Sequence, residues 1–553
     1  MNLNHLFNHQ TRTVNIAAGI LAVSALISRL LGVMRDWLLA KSFGAGTDLD
    51  IYFAAFKIPD FVYNILILGG VLVAFLPLFS DYFSKNKEEA WKFSSNCLNV
   101  FLFLLILVSF FLFLFTPSLV KLTVPGFSQE KIEKTILLTR IMLLSPIFLG
   151  LSSVFSGILQ YFNRFLIYAL CPILYNLGII FGILFFSPQL GIPGVAIGVV
   201  LGAFLHFAIQ IPSALSCGFS YKMTLDFKDP KIKRVFTLMI PRTLGISASQ
   251  INLVVINAIA STLTEGSISI FNFANNIQYF PIGIIGASFA MAVFPTLSKN
   301  WTENEKGKFV NNFSLVFRQI LYLILPISVL VFILRNEIVG IILKHGQFSM
   351  TAANLTSSAL ALFCIGLFAS SLIPLFFRAF FSLKDTKTPT LIAIVSMIIN
   401  VALSFFLTKI LISPQSFLQE RIKTLFIKAF SLEGIKDISV LGLPLAVSIG
   451  VIFQFILMMF FLRKRIGDFK SREIFDSFLK ILAAGILMII SVCFTLSIIE
   501  PIFSSKTLGN EVSKIVIVSL IGCLVYLLAT FSLNSPEIKK FKNLFLKKFS
   551  NEN

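Results

Sequence analysis

Long apolar stretches recur along the whole chain, and they restrict its fold more than any other feature. A helix that crosses a bilayer needs about 20 predominantly apolar residues. Stretches of this length predict spans at 14–40, 50–82, 92–120, 134–161, 165–187, 192–213, 233–262, 267–298, 311–343, 354–382, 387–412, 440–464, 476–499 and 511–532. The sequence therefore predicts an all-α polytopic membrane protein with about 14 transmembrane helices.

Composition excludes a water-soluble fold and several classes of function. Charged residues make up 13% of the chain, against about 25% in soluble domains. The first apolar run is too long for a cleavable signal peptide. The net charge of +20 could indicate nucleic-acid binding, but the basic residues lie mostly in short loops between apolar segments, as membrane topology requires. We therefore expect no nucleic-acid partner.

No pattern of catalytic or metal-binding residues is visible in the sequence. The cysteines are scattered without a C-x-x-C pair, at Cys97, Cys171, Cys217, Cys364, Cys493 and Cys523. This spacing argues against a disulfide framework or a thiolate metal site. His206 lies alone in an apolar stretch, which favours a structural role. We expect no catalytic residue, no metal and no cofactor.

The loops between the spans differ in charge from one side to the other. One alternating set, with both termini and the Lys539–Lys548 tail, holds roughly 25 Lys and Arg, against roughly 12 on the opposite side. The positive-inside rule places the richer side in the cytoplasm. We therefore expect both termini to be cytoplasmic and the Lys-rich tail to be a solvated segment or, alternatively, a membrane-surface helix.

Six spans recur in the same order in the second half of the chain. Span two ends AFLPLFS at Ala74–Ser80, and span eight ends AVFPTLS at Ala292–Ser298. Pro172 in span five and Pro389 in span eleven occupy nearly equivalent positions, as do the LGIP and LGLP sequences that open spans six and twelve. Parallel repeats of this kind build transporters.

The repeat divides the chain into three parts. The predicted parts are an N-lobe of spans one to six at 1–213, a C-lobe of spans seven to twelve at 214–464, and spans 13 and 14 with the basic tail at 465–553.

Two arginines interrupt the first apolar stretch. A cation at the centre of a membrane helix costs at least ~2.5 kcal/mol and faces a partner or a wet cavity. Arg29 and Arg35 therefore predict an anion-binding cavity, and Asp36, seven residues after Arg29 and thus on nearly the same helix face, can orient an arginine. The guanidinium fork suits phosphate because it donates two parallel hydrogen bonds. A structural ion pair at a helix end is the alternative.

Span two adds a second set of charged residues. Asp50 and Lys57 are seven residues apart and share a helix face. Lys57 either contributes to the same cavity or extends toward an interface. The Asp48–Asp50 DLD also resembles the D-x-D of metal-dependent glycosyltransferases, although ordinary loop acids explain it better.

Further polar residues in or near the spans are weaker candidates. Residues close to span ends, such as Arg140, Arg242 and Arg378, can face headgroups instead of a cavity. The candidates for a gate or secondary cavity are Asp50, Asn64, Ser269, Asn276 and Arg378.

Several motifs together resemble one known family. SRLLGVMRD at Ser28–Asp36 and FGAGTDLDIYFAAFKIPD at Phe43–Asp60 closely resemble the first two helices of the MurJ/MviN family of lipid II flippases. The resemblance continues through Leu138–Phe165, Cys171–Gly182, Phe294–Lys299 and Leu383–Pro389. It covers spans one to twelve in order.

The resemblance implies two six-helix lobes around a central cavity, plus two terminal helices. It implies alternating-access transport, without enzymatic activity, of lipid II, the undecaprenyl-diphosphate-linked peptidoglycan precursor, from the inner to the outer leaflet of the bacterial cytoplasmic membrane. The family's cavity arginines and the following aspartate match Arg29, Arg35 and Asp36, and its helix-two aspartate and lysine match Asp50 and Lys57. Implied partners are lipid II, membrane lipids and other cell-wall synthesis proteins.

The chain also departs from the family pattern. Many relatives have a basic pair and an acidic-Gly motif in span two. The family also has an arginine in span eight, and some relatives have an acidic residue associated with sodium binding in span seven. The matching positions here hold Tyr63, Asn64, Leu68 and Gly69 in span two, Asn276 in span eight, and Ile256 and Asn257 in span seven. We therefore expect a less charged cavity, and sodium coupling is unsupported.

Two alternative functions remain open from the sequence. One is a flippase for another undecaprenyl-diphosphate glycan, such as an O-antigen or capsule unit, and the other is a multidrug antiporter, which would favour acidic cavity residues.

Overall fold

The computed structural model describes residues 14–503 and 507–538. Within these ranges every regular element is helical, which confirms the predicted all-α class. The Lys539–Lys548 tail and the N-terminal segment before Val14, both predicted to be cytoplasmic, lie outside the described residues.

The chain forms two compact units. The first unit contains residues up to Ser269 together with Gly346–Phe348, and the second contains Ile270–His345 and the residues from Ser349 onward. The predicted lobe boundaries at 213/214 and 464/465 stay predictions.

Among the described residues, the first unit contains eleven helices and the start of a twelfth. In chain order these are α1 (Val14–Phe43), α2 (Thr47–Val62), α3 (Leu72–Lys85), α4 (Lys87–Thr123), α5 (Gln129–Met142), α6 (Ser145–Tyr161), α7 (Phe165–Phe181), α8 (Ser187–Leu190), α9 (Ile192–Ala208), α10 (Gln210–Ser216), α11 (Pro230–Ser261) and α12 (Ser267–Pro281). Two π-helical stretches, Tyr63–Val71 and Gly182–Phe186, connect α2 to α3 and α7 to α8.

The second unit continues from α12 through a π-helical stretch at Ile282–Ala287. Its helices are α13 (Ser288–Thr302), α14 (Lys306–Ile333), α15 (Arg335–Leu343), α16 (Met350–Ser382), α17 (Lys387–Ile412), α18 (Phe417–Ala429), α19 (Gly442–Ile466), α20 (Ser471–Ile502) and α21 (Leu508–Ser532). A short 3₁₀ turn at Ser439–Leu441 precedes α19.

Eleven helical segments among the described residues are long and apolar enough to cross a membrane. They include the continuous segments Gln129–Tyr161 and Ser267–Thr302, each of which joins two of the helices named above. The protein is thus a multi-pass membrane protein, while the count of fourteen spans stays a prediction.

Spans two and eight share an unusual backbone feature. The π-helical stretch Tyr63–Val71 follows Pro59, and the stretch Ile282–Ala287 follows Pro281. Proline removes a helical hydrogen-bond donor, and π segments commonly occur where a helix is locally widened. Each stretch leads into the helix that carries the repeated motif, AFLPLFS in α3 and AVFPTLS in α13, so the sequence repeat has a structural counterpart at this point.

Glycines allow α7 and α9 to pack with their backbones in close contact. A Cβ added to Gly178 would lie 2.3 Å from the Cα of Gly202, and one added to Gly198 would lie 2.6 Å from the Cα of Gly182. Small residues at four-residue spacing are a common device for close packing of membrane helices. A Cβ on Gly202 would lie 2.4 Å from the carbonyl oxygen of Tyr175, so this packing also fixes the part of α7 that carries the polar residues discussed below.

The last two helices are packed into the core of the second unit. Met488 and Val492 of α20 and Val518 of α21 belong to the same buried cluster as Phe313 and Ile320 of α14. Polar contacts reinforce this packing. Arg318 of α14 forms ion pairs with Glu473 (3.4 Å) and with the buried Glu537 (3.6 Å), which follows α21, and Lys514 pairs with Glu337 at 3.3 Å.

We predict that Gly198→Ala destabilises the protein by about 1–3 kcal/mol, because backbone atoms of α7 cannot move aside as a flexible side chain would. Gly485→Ala in α20 is the matched control, since a Cβ there meets nothing within 4 Å. Thermal unfolding of the purified protein in detergent should show a lower Tm for Gly198→Ala and no decrease for Gly485→Ala. Equal Tm values for the two variants would contradict the close-packing interpretation.

Candidate functional site

Arg35 and Asp36 form an ion pair inside α1. The guanidinium donates from Nε at 3.0 Å and from Nη2 at 2.8 Å, both to Oδ1 of Asp36. The two side chains are 23% and 10% exposed. The sequence predicts that Asp36 orients an arginine. In the structure, the carboxylate of Asp36 pairs with the guanidinium of the adjacent Arg35. Arg29, also on α1, is half-buried.

Asn176 of α7 extends this network to a second helix. Its Oδ1 accepts a hydrogen bond from Nη1 of Arg35 at 3.3 Å, and its Nδ2 donates to the hydroxyl and carbonyl oxygens of Ser28 at 3.2 Å. The amide therefore links two points of α1 that are seven residues apart. The Arg35 guanidinium is held on two sides, by a carboxylate and by an amide oxygen.

A cavity of about 320 Å³ opens beside this network, within the first unit. Its size falls in the lower part of the range for ligand pockets. We call it the Arg35 cavity; its lining residues are Arg35, Phe56, Pro59, Asp60, Tyr63, Ser145, Leu149, Pro172, Tyr175 and His206. Five helices, α1, α2, α6, α7 and α9, and the π-helical stretch after α2 contribute to it, and its wall combines charged, hydroxyl, imidazole and apolar groups.

Asp60 is the second charged residue of the cavity wall. It lies three residues after Lys57 on α2 and is within electrostatic range of both Lys57 and Arg35. Residues three apart on a helix are neighbours, so Lys57 is placed beside the cavity wall although it is not among the lining residues. The charge of Asp60 thus offsets that of Lys57, and the net positive charge that Arg29, Arg35 and Asp36 predict is unchanged.

His206 takes part in a hydrogen-bonded network and is not an isolated apolar-face residue. Its Nδ1 is 2.7 Å from the hydroxyl oxygen of Ser152. The side chain of Gln210 donates to the same hydroxyl and to the carbonyl of His206, and it accepts from Ser156 at 2.9 Å. These bonds fix the imidazole at the wall of the Arg35 cavity.

Asp50 binds the start of α12. Its Oδ2 accepts from the backbone N–H of Gly266 at 2.7 Å, and its Oδ1 accepts from the N–H and the hydroxyl of Ser269 at 2.8 and 2.7 Å. The first N–H groups of a helix have no partner within the helix, and a carboxylate there is favoured by the helix dipole. The structure thus brings together two predicted gate residues, Asp50 and Ser269.

A smaller pocket of about 190 Å³ lies next to Asp50, also within the first unit. Lys131 and Glu265 line it and form an ion pair at 3.6 Å. Glu265 also accepts hydrogen bonds from the hydroxyl and the backbone N–H of Thr47. The hydroxyl bond from Thr47 is the main cause that lowers the pKa of Glu265 from its ordinary value, so this carboxyl group stays ionised at neutral pH.

The other predicted residues lie outside both pockets. Asn64 donates from Nδ2 to the carbonyl oxygen of Asp60 at 2.8 Å. Asn276 and Arg378 belong to the second unit; Asn276 is exposed, and the guanidinium of Arg378 packs over the ring of Phe294 at 5.2 Å. In the first unit, Arg140 packs similarly over Phe113 at 4.5 Å. The side chain of Arg242 is not among those that the structure describes.

Sequence reasoning missed Asp60, Tyr175, Asn176 and His206 as site residues. Asp60 had a detectable signal, because an ionisable residue one helical turn from Lys57 in an apolar span is a functional candidate by default. The other three lie on α7 and α9, far from α1 in sequence, and nothing in their local pattern indicates that they meet Arg35.

Comparison with known proteins gives consistent matches. The model of the family described as "Lipid II flippase MurJ" matches residues 39–415. A "Probable lipid II flippase MurJ" from Buchnera aphidicola subsp. Schizaphis graminum (strain Sg) is 30% identical over 543 residues, which cover 97% of this chain and 100% of the relative. Its counterpart from Buchnera aphidicola subsp. Acyrthosiphon pisum (strain APS) is 31% identical over 401 residues, 71% of this chain and 78% of the relative.

Solved structures agree with these matches. A structure titled "Lipid II flippase MurJ, inward closed conformation" has a TM-score of 0.72 at 26% identity and covers 92% of this chain and 97% of its own. An inward-facing multidrug resistance MATE family transporter of the MOP superfamily has a TM-score of 0.66 at 15% identity, over 82% of this chain and 99% of its own, which shows a shared fold alone. With the family model matching more than half of its length, this chain belongs to the lipid II flippase family MurJ.

Proposed function

We propose that this protein translocates lipid II from the cytoplasmic to the outer leaflet of the bacterial inner membrane, without enzymatic activity. Family membership supports the substrate, and the Arg35 cavity supports the chemistry. The observation that carries the proposal is a guanidinium that is fixed by Asp36 and Asn176 at the wall of a cavity within a membrane-embedded unit.

Arg35 retains the donors that a diphosphate requires. A guanidinium has five N–H groups, and the bonds to Asp36 and Asn176 use three of them. The remaining two lie on the Nη atoms, where bidentate phosphate contacts are made. Because its geometry is already fixed, little side-chain entropy is lost when a phosphate binds.

The nearby carboxylates set how strongly a diphosphate is held. Arg29, Arg35 and Lys57 supply three positive charges, and Asp36 and Asp60 supply two negative ones. The net positive charge favours an anionic substrate, while Asp60 competes with it for Arg35 and Lys57. In a low-dielectric site this competition is stronger than it is in water. Asp60 therefore limits the affinity for the diphosphate and, for the same reason, favours its release.

Alternating access of the two predicted lobes, 1–213 and 214–464, moves the headgroup while the polyprenyl chain remains in lipid. We assign Asp50 and Ser269 to the gate, because the three hydrogen bonds of Asp50 fasten the first turn of α12 and can be broken and reformed during the cycle. The charge distribution of the loops supports cytoplasmic termini. Other cell-wall synthesis proteins remain predicted partners.

Depletion of the protein in its native host tests the substrate. We expect lipid II to accumulate in the inner leaflet and peptidoglycan synthesis to fall, with leaflet distribution measured by accessibility to an external lipid II-modifying enzyme. Re-expression should reverse both effects. Unchanged peptidoglycan with accumulation of another undecaprenyl-diphosphate glycan would replace lipid II by that substrate.

We predict that Arg35→Gln lowers the rate of lipid II translocation in liposomes roughly 10- to 100-fold, because hydrogen bonds to a charged group contribute about 1.5–3 kcal/mol. Arg35→Lys should recover only part of the rate, since lysine lacks the planar fork. Arg140→Gln is the matched control, as it removes an arginine that packs over Phe113 instead of lining the cavity. If folded Arg29→Ala and Arg35→Ala variants transport at the full rate, the site assignment is wrong.

Asp60→Asn should bind lipid II on the order of tenfold more tightly, because it removes the carboxylate that competes for Arg35 and Lys57. Turnover should be slower, since the same change hinders release. Binding is measured by fluorescence titration of the purified protein, and turnover is measured in liposomes. Asp81→Asn, at an exposed position of α3, serves as the control. Weaker binding by Asp60→Asn would show that Asp60 contacts the substrate favourably.

A further inference from the structure

The short helix α18 exposes large apolar side chains although it is too short and too charged to cross a membrane. Its 13 residues, FLQERIKTLFIKA, include four charged residues, whereas a span needs about 20 predominantly apolar ones. None of its residues is buried. Phe417, Leu418 and Leu425 are 72%, 68% and 67% exposed.

The exposed residues of α18 form two neighbouring stripes. Leu418 and Leu425 are seven residues apart and therefore lie within about 20° of each other around the helix. Arg421 and Lys428 are also seven apart and lie about 40–80° from the leucines. The acidic residue of the helix, Glu420, lies on the opposite side, about 140° from Leu425 and about 160° from Leu418.

The position of α18 is fixed at the end of a membrane helix. α17 ends at Ile412, and Ser416 caps α18 by accepting a hydrogen bond from the N–H of Gln419. The four residues between Ile412 and Phe417 reach at most about 18 Å, counted over five peptide steps. Nζ of Lys423 also donates to the carbonyl oxygen of Ile412 at 3.2 Å, which holds the middle of α18 against the end of the span.

The chain after α18 returns to the interior of the second unit. Leu432 and Ile438 are buried there, and α19, the next membrane helix, begins at Gly442. Since α17 and α19 are both long and apolar enough to cross a membrane, we infer that α18 lies at the level of the headgroups on the side where α17 ends.

We propose that α18 is an interfacial helix that binds anionic phospholipid headgroups in the leaflet at which α17 ends. Leu418 and Leu425 enter the acyl-chain boundary, and Arg421 and Lys428 contact phosphates. A cationic edge beside an apolar one is the pattern of helices that lie in the membrane interface, and the guanidinium of Arg421 already packs over the Phe417 ring at 4.6 Å. This binding is independent of the transported substrate.

Nitroxide labels on the full-length protein in lipid nanodiscs test the depth of α18. The labels are attached at Leu418→Cys, Leu425→Cys and, as the control on the opposite side, Glu420→Cys. The more accessible native cysteines, Cys217, Cys493 and Cys523, are replaced by Ser, and the same protein without an added cysteine reports any labelling of the remaining buried thiols. Collision rates with oxygen, which partitions into lipid, and with a nickel chelate, which stays in water, are compared in phosphatidylcholine with and without phosphatidylglycerol.

We expect the two leucine positions to collide mainly with oxygen, more so when phosphatidylglycerol is present, and the Glu420 position to collide mainly with nickel. Arg421→Gln combined with Lys428→Gln should remove the dependence on phosphatidylglycerol without changing the Tm. Nickel-accessible leucine positions in both lipids would overturn the proposal. Protection from both reagents would indicate a protein partner or a second copy instead, and equal depth in both lipids would overturn the assignment of anionic headgroups.

Discussion

The ion pair between Arg35 and Asp36 is the interaction on which the proposed chemistry of this protein depends. An isolated guanidinium in a membrane helix is strongly unfavourable, and an adjacent carboxylate makes it tolerable. The pair uses one edge of the guanidinium, and Asn176 takes one more N–H group. The arginine is thereby stabilised and oriented without losing all of its donors, which is the condition for a preorganised phosphate site.

Helix packing places the residues that complete this site. The glycine contacts between α7 and α9 bring the two backbones together, and Gly202 packs against the carbonyl of Tyr175, next to Asn176. His206 follows Gly202 by one turn on α9 and reaches the same cavity. A side chain at any of these glycines would separate α7 from α9 and move Tyr175 and Asn176 relative to Arg35. The close packing of α7 against α9 therefore also holds the polar network around Arg35 in place.

Local sequence patterns predicted the helical class, the polar residues of α1 and α2, and the family. They did so because apolar length and helical spacing are properties of short segments, which a bilayer constrains strongly. Asp50 and Ser269 were both candidates, but their mutual hydrogen bonds join residues more than 200 positions apart. Periodicity also placed Asp36 near Arg29, whereas its ion pair with Arg35 depends on how the guanidinium turns toward α7.

The order of residues along the chain is enough to predict a helical membrane protein, to place Arg29, Arg35 and Asp36 in its first span, and to match its motifs to the lipid II flippases. The cavity that Asp60, Tyr175 and His206 share with Arg35, and the exposure of the α18 leucines beside α17, become visible once the helices are packed. Membrane insertion depends on the composition of each segment, whereas a binding site depends on which helix faces pack together, and that is set by contacts between distant segments.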